Sequence, residues 1–554
     1  MNANKLSAVT AALVASLTAI SCFAGANKYV AAGWEFAGAR VDTLLDRADA
    51  MDKTPLDGCV LYLEATGHDG KTITSRDIIH QPAWDYACLE PLVPKYRKLL
   101  AHKAFKSSFL NSYRAPRIRV AWTNDAAWAK IAHNMRVAAR FAKACGFVGL
   151  QMDPEDYHRQ NQYMWQDSDG SSYEETAALA RRRGREVFEC VFKEFPDVKL
   201  LSYWFLSMGN TYVGAVDGRY LRDIMYRNGT DLWPHFVEGI FDVLPPSATL
   251  VDGLETAYNW RASRMQYLTG AKVVRMDLVH LLSPENQKKY LAQMQNSFGF
   301  YLDGYSIITN GGWYMEPIDG SRVRHLRFNL KQATECADEF IWFWGERGSW
   351  SGIKGKPAWS ELMPGLHDTM LAAKSPAELG RSLRLRMEAG ELVNLNTNSA
   401  CMATATNCIP KPYGTWQEHP KYNLRKGVFG CDLTCGHGDR SSLVAQGVQR
   451  GCFTFRVEGR RPGDVFGISF CSKGRHVSAT VGWRKNSRWD WSITRILIPI
   501  ANDVDADGWT QTDWSITIPD GADGFVLMLN VGQDEGEKCW YDDIMVIPER
   551  PAGT

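Results

Sequence analysis

The stretch Phe147-Val148-Gly149-Leu150-Gln151-Met152-Asp153-Pro154-Glu155-Asp156-Tyr157 ends an apolar run in three acids and a tyrosine. In an extended strand, residues two apart share a side, so Gln151, Asp153 and Glu155 point together into one space. Pro154 cannot donate to a ladder, which puts the acids at the strand's end. Neighbouring carboxylates there can divide acid–base work, because their repulsion keeps one protonated near neutral pH. Cleaving a glycosidic bond needs an acid for the leaving oxygen and a second group that attacks, activates water or stabilises the developing cation. Glu155, at the exposed end, is the expected acid, with Asp153 as its neighbour or as nucleophile.

The elements that must position these acids are legible as an alternation. From Lys28 to about Trp350, short apolar runs are expected as strands at Tyr29–Phe36, Cys59–Ala65, Ile118–Thr123, Phe147–Asp153, Lys199–Phe205, Thr249–Thr256, Lys272–Val279, Gly299–Ile308 and Glu339–Gly345. Amphipathic stretches lie between most of them, including Ala127–Cys145, Tyr173–Phe195, Pro284–Ser297 and Arg322–Ala337. This pattern predicts a parallel sheet with helices outside. No Gly-rich phosphate turn follows the first strand, so a closed (β/α)8 barrel is expected over an open doubly wound sheet, with one candidate strand in excess. Such barrels carry their chemistry on the rim at the C-terminal strand ends.

Acids and large rings recur at those ends. Asp252, Glu255, Asp303 and Glu346 are candidates to partner Glu155, and Trp34, Glu35, Tyr157, Trp204, Tyr258 and Trp344 are candidates to line a substrate cleft. One such residue alone reads better as a salt bridge or a polar cap on the rim than as a catalytic group. The whole ring reads as a polar-ligand pocket. A lyase would instead use a Tyr or His base such as Tyr157 or His280, and a decayed barrel would bind glycan without cleaving it.

After about Met387 the helical period gives way to short β-rich runs separated by turns such as Pro462-Gly463-Asp464 and Pro519-Asp520-Gly521, the pattern of a sandwich. The expected organisation is a signal peptide over 1–26, a barrel over 27–371, a connecting segment over 372–390 and a sandwich over 391–549. Lys5, the apolar run to Ile20 and Ala24-Gly25-Ala26 carry the signal-peptide reading, which implies a secreted or periplasmic protein. Ile20-Ser21-Cys22 offers the alternative of a lipobox with Cys22 as lipid anchor, against which stands Ala19 in place of a larger aliphatic. No later run is long enough to span a bilayer. Lys+Arg 63 against Asp+Glu 62 leaves no net field to attract nucleic acid, while 20 Trp and 21 Tyr supply rings that can stack on sugars. Export permits disulfides among the 13 cysteines, with Cys401/Cys408 and Cys431/Cys435 the nearest pairs. No nucleotide, redox or other catalytic cofactor is implied.

Gly149, Asp153 and Glu155 resemble the strand-four motif D-G-x-D-x-D-x-E of chitinase-like glycoside hydrolases, family eighteen and its relatives. Trp342-Phe343-Trp344 is similar to the final strand that floors their sugar subsite. The resemblance implies that Glu155 donates the proton and Asp153 orients the substrate. Val148 and Gln151 stand where that motif has acids, so a partner from another strand is expected. Asp252 or Glu255 would match hydrolases that pair strands four and six, with Asp153 as nucleophile, and Asp303 those that pair four and seven. Beyond about Glu391, the Asn-rich run Asn394-Leu395-Asn396-Thr397-Asn398 and Trp540-Tyr541-Asp542-Asp543 resemble jelly-roll carbohydrate-binding modules. By that resemblance Asp542 and Asp543 are candidate ligands of a structural Ca2+. Trp483, Trp489 and Trp491 are candidates for a sugar-stacking platform.

Overall fold

A computed structural model describes residues 27–207, 229–261, 263–318, 320–418 and 426–549. The expected signal peptide and Cys22 lie outside them. The chain divides into two compact units, Met1–His367 and Asp368–Thr554. No described helix is long and apolar enough to cross a membrane.

The first unit is built on a curled, all-parallel sheet. Its strands are β1 (Lys28–Gly33), β2 (Gly58–Leu61), β5 (Phe109–Arg114), β6 (Gly149–Asp153), β7 (Lys199–Ser202), β8 (Thr249–Asp252), β9 (Met294–Asn296), β10 (Gly299–Tyr301) and β11 (Phe340–Gly345). They run in the order β10-β11-β1-β2-β5-β6-β7-β8-β9. Helices Asp125–Cys145, Tyr173–Glu194, Trp233–Val243 and Arg322–Cys336 fall between strands, as the alternation predicts. A small antiparallel hairpin, β3 (Glu64–Thr66) and β4 (Thr72–Thr74), follows β2. The central strands read as near-continuous apolar runs because both faces are covered, and β6 is buried throughout.

Two expected strands are corrected. Ile118–Thr123 is not a strand, and the third strand is Phe109–Arg114 instead. Asn111 and Ser112 break that run's apolar pattern, yet both are buried. The Asn111 amide donates to Gln151 Oε1 at 2.6 Å and the Ser112 hydroxyl to the Gln151 carbonyl at 3.0 Å, so polar pairing replaces apolar packing there. Lys272–Val279 is helical, with Val273, Val274, Asp277 and Leu278 buried at a helical spacing rather than an alternating one. The seventh strand begins at Met294, inside a run expected as helix, and the chain turns helical again at Leu302. β9 and β10 are separated only by Ser297 and Phe298. Ser297 N–H donates to the Asp252 carbonyl at 2.8 Å, and Trp342 N–H donates to the Phe298 carbonyl at 3.1 Å.

The second unit is a two-sheet antiparallel sandwich. One sheet is β12 (Gly414–Gln417), β15 (Gly451–Val457), β21 (Gly524–Val531), β17 (Val477–Lys485) and β18 (Arg488–Trp489), with β19 (Ile496–Ile498) on β17. The other is β13 (Val428–Asp432), β14 (Ser442–Gln446), β22 (Lys538–Pro548), β16 (Val465–Gly474) and β20 (Trp509–Thr517). A single core that includes Phe453, Val481, Leu527, Phe470, Tyr541 and Val546 draws on both sheets. The twelve described cysteines are free thiols.

At Gly149 a Cβ would lie 1.8 Å from the Lys199 carbonyl oxygen, so glycine alone allows β6 and β7 to pair there. Gly149→Ala is expected to cost at least about 2 kcal/mol through forced overpacking, read as a lowered midpoint in denaturant unfolding. A midpoint unchanged from wild type would contradict this packing.

Candidate active site

The acids at the strand ends divide into two sets. Asp252, Asp303 and Glu35 are buried and turned toward backbone N–H groups. Asp252 Oδ2 accepts from Phe205, Leu206 and Ser207 N–H at 3.1, 3.0 and 3.1 Å, and its Oδ1 accepts from Leu254 N–H at 3.1 Å and from the Ser207 hydroxyl. Asp303 accepts from Glu346 and Arg347 N–H at 2.7 and 3.1 Å. Glu35 accepts from Trp350 and Ser351 N–H at 2.8 and 3.1 Å and from the Ser351 and Ser349 hydroxyls. None of the three lines the cavity, and each has its oxygens committed to a rim loop. Asp153 stands between the two sets. Its Oδ1 accepts from Glu155 N–H at 3.2 Å, and Arg114 Nε lies 3.5 Å from Oδ2. Burial pushes its pKa up to about 6, with Glu155 adding to the rise and Arg114 opposing it.

The second set, Glu155, Glu255 and Glu346, lines one cavity of about 390 Å³ together with Trp34, Tyr157, Tyr203, Trp204, Tyr258 and Trp344. Glu155 follows β6 directly. Glu255 reaches the cavity because Leu254 adopts a left-handed backbone, φ +43°, between β8 and the turn Glu255–Asn259. A non-glycine residue in that region is uncommon and marks a turn held by its surroundings. Here the hold is Asp252 on the Leu254 N–H and Trp342 Nε1, which donates to the Gly253 carbonyl at 2.8 Å.

Burial and then the charges of Glu155 and Asp153 push the Glu255 pKa well above the usual carboxylate range. Tyr157 N–H donates to the Glu155 carbonyl at 3.2 Å, and desolvation and then the charges of Asp153 and Glu155 raise the pKa of its phenol. Glu346 is engaged differently. Trp34 and Trp344 indole N–H groups donate to Oε1 and the Tyr301 hydroxyl to Oε2, each at 3.3 Å, so this carboxylate holds rings in place. Tyr203 stacks on Trp342 with centroids 4.2 Å apart, and Tyr258 on Tyr301 at 5.5 Å. Tyr203 Oη and Asn259 Oδ1 are buried without a hydrogen-bond partner, although both residues line the cavity. A ligand bearing hydroxyls would satisfy them.

Eight of the residues expected from sequence therefore meet in one cavity: Glu155, Glu255, Glu346, Trp34, Tyr157, Trp204, Tyr258 and Trp344. Ser207, Thr256, Asn259, Tyr301 and Trp313 join them unforeseen. The ring after the Gly311-Gly312 pair was the readable signal for Trp313; the small polar residues carried none. His280 is exposed on the helical stretch and is not among the cavity residues.

In the sandwich, both Asp542 oxygens are taken by backbone, from His437 N–H at 2.7 Å and Asp543 N–H at 2.8 Å, and burial pushes its pKa up to about 7. Asp543 instead lies 2.7 Å from His437 Nδ1, which is 3.3 Å from Cys471 Sγ. Imidazole, thiol and carboxylate are donors suited to Zn2+ more than to Ca2+, which prefers an all-oxygen shell. Trp483 is core, whereas Trp489 and Trp491 are exposed and stacked at 5.6 Å, with the Arg495 guanidinium 4.5 Å over Trp491.

No protein family and no curated protein matches the chain. Among solved structures, a CBM4 carbohydrate-binding module is 16% identical over 28% of this chain and 99% of its own, with a TM-score of 0.20. The module TmCBM61, solved with β-1,4-galactotriose, is 13% identical over 28% and 99%, with a TM-score of 0.21. The arabinose-bound α-L-arabinofuranosidase MgGH51 is 14% identical over 29% of this chain and 27% of its own, with a TM-score of 0.21. At this level no activity or substrate is carried over from them.

Asp252→Ala strips the acceptor from four backbone N–H groups and is expected to destabilise the protein by roughly 3 kcal/mol or more. Chemical denaturation measures it, and a loss under about 1 kcal/mol would show that water replaces the carboxylate.

Proposed function

We propose that this protein is a secreted glycoside hydrolase acting on a polysaccharide or glycan, with Glu255 as the acid that protonates the leaving oxygen and Glu155 as the second carboxylate of the pair. The reading is carried by the placement of both carboxylates in one ring-lined cavity, where burial, and after it the charges of Glu155 and Asp153, favour the neutral form of Glu255. An acid already protonated near neutral pH meets the first requirement of glycosidic cleavage, and a second carboxylate in the same cavity meets the other. The sequence assigned the proton to Glu155; the charges around Glu255 support the opposite division. Asp153 is ion-paired behind the cavity wall, which favours a direct carboxylate pair over help from a substrate acetamide.

We read the sheet of the first unit as a closed (β/α)8 barrel, with β9 and β10 as two halves of its seventh strand. In support, the two ends of the sheet path are two residues apart and hydrogen-bonded to both neighbours. On this reading Glu155 and Glu255 sit at the ends of strands four and six.

Digestion of a glycan panel by the exported protein, read by mass and ultraviolet absorbance, is expected to yield saturated oligosaccharides. Unsaturated products would make it a lyase, and binding without release would make it a lectin-like protein. Glu155→Gln and Glu255→Gln should each lower turnover of natural glycans by roughly 10²–10⁴-fold. Only Glu255→Gln should be rescued by aryl glycosides whose leaving group needs no proton; rescue of Glu155→Gln instead would reverse the roles. Because the raised pKa belongs to a group that must be protonated, the rate should fall as pH rises through it. That alkaline limb should vanish in Glu255→Gln, and a limb that persists there would assign it elsewhere.

A further inference from the structure

A second recess of about 460 Å³ abuts the first, with Tyr157 in the wall of both. Its charge is opposite. Arg76, Arg114 and Arg117 line it, against one carboxylate, Asp77. The first cavity presents three glutamates and, among its described lining residues, no lysine or arginine. Two of the arginines lie over rings that face the first cavity. The Arg114 guanidinium lies 5.5 Å over Tyr157, and that of Arg76 lies 4.9 Å over Trp34. Arg117 is paired with Asp77, and Arg114 is partly balanced by Asp153. Arg76 is exposed and has no ion-pair partner among the described residues. Of the three lining arginines it is the one outside an ion pair.

We propose that this recess is a subsite for an anionic substituent, a sulfate ester or a uronate carboxylate, on a sugar adjoining the one held in the acidic cavity. A chain lying across Tyr157 would set an uncharged ring against Glu155 and Glu255, where an anion would be repelled. It would direct its negative group at guanidiniums, whose planar donor fork matches both sulfate and carboxylate. The rings beneath Arg76 and Arg114 restrict both side chains, so less freedom is lost when an anion binds. The position of this subsite beside a scissile bond rests on the hydrolase reading; anion binding by the recess does not.

The test is calorimetric binding by the full chain carrying Glu155→Gln, at low ionic strength. The probes are sulfated, uronate-bearing and unsubstituted oligosaccharides of one backbone. One of the two anionic series is expected to bind roughly tenfold tighter than the unsubstituted one, the scale of one charge-assisted contact. The series that does so identifies the anion. Adding Arg76→Ala, or the milder Arg76→Gln, should erase that preference while the melting temperature stays that of the parent. Equal binding of all three series, or a preference that survives both Arg76 variants, would overturn the subsite. Arg76-dependent anion binding in a protein whose wild type cleaves no glycan would keep the subsite and sink the hydrolase reading. Cleavage by the wild type with no anion preference in binding would do the reverse.

Discussion

The site depends on buried carboxylates that accept backbone N–H groups from the rim loops. Asp252 gathers the loop after β7 and the turn after β8, Asp303 gathers the start of the loop after β11, and Glu35 gathers its continuation at residues 349–351. A carboxylate removed from water is costly unless its lone pairs are filled. Each of these acids therefore fixes several peptide groups at once, and a loop that withdrew would strand a buried charge. That constraint converts flexible strand-to-helix connections into a rigid rim. It also frees the acids farther out, Glu155 and Glu255, to face the cavity.

The same division of acids accounts for the electrostatics. Burial raises the pKa of the inner acids too, but there backbone N–H groups or, for Asp153, Arg114 oppose the rise. Glu255 has only burial and like charges around it, so its neutral form is favoured. Glu346 accepts from two indoles and a phenol, which ties its carboxylate to the surrounding rings. Three carboxylates in one cavity thus take different roles according to what surrounds each.

Much of this was legible in the chain. Alternation located seven of the parallel strands, and the period-two spacing of Asp153 and Glu155 put both at the mouth of β6. The spacing could not say which acid of each strand end would turn inward. Asp252 and Glu255 are equivalent on paper, and only the left-handed Leu254 separates them, carrying one into the cavity and leaving the other beneath it. β5 was missed because its buried Asn111 and Ser112 look like loop residues until Gln151 of the next strand pairs with them. Val273 and Val274 look like strand residues because a β-branched pair gives no hint of the helical contacts that bury it. In the sandwich, Asp542 accepts backbone N–H groups while the adjacent Asp543 faces His437, a division the run Asp542-Asp543 does not display.

The proposed chemistry turns on Glu255, whose neutral form is favoured by burial and, after it, by the negative charge of Glu155. Carboxyl carbon-13 NMR titration tests it directly, with the Glu255 signal assigned by its loss in Glu255→Gln. The Glu255 midpoint should lie above the ordinary glutamate range in the wild type and lower in Glu155→Gln. An ordinary midpoint, or one indifferent to Glu155, would contradict it.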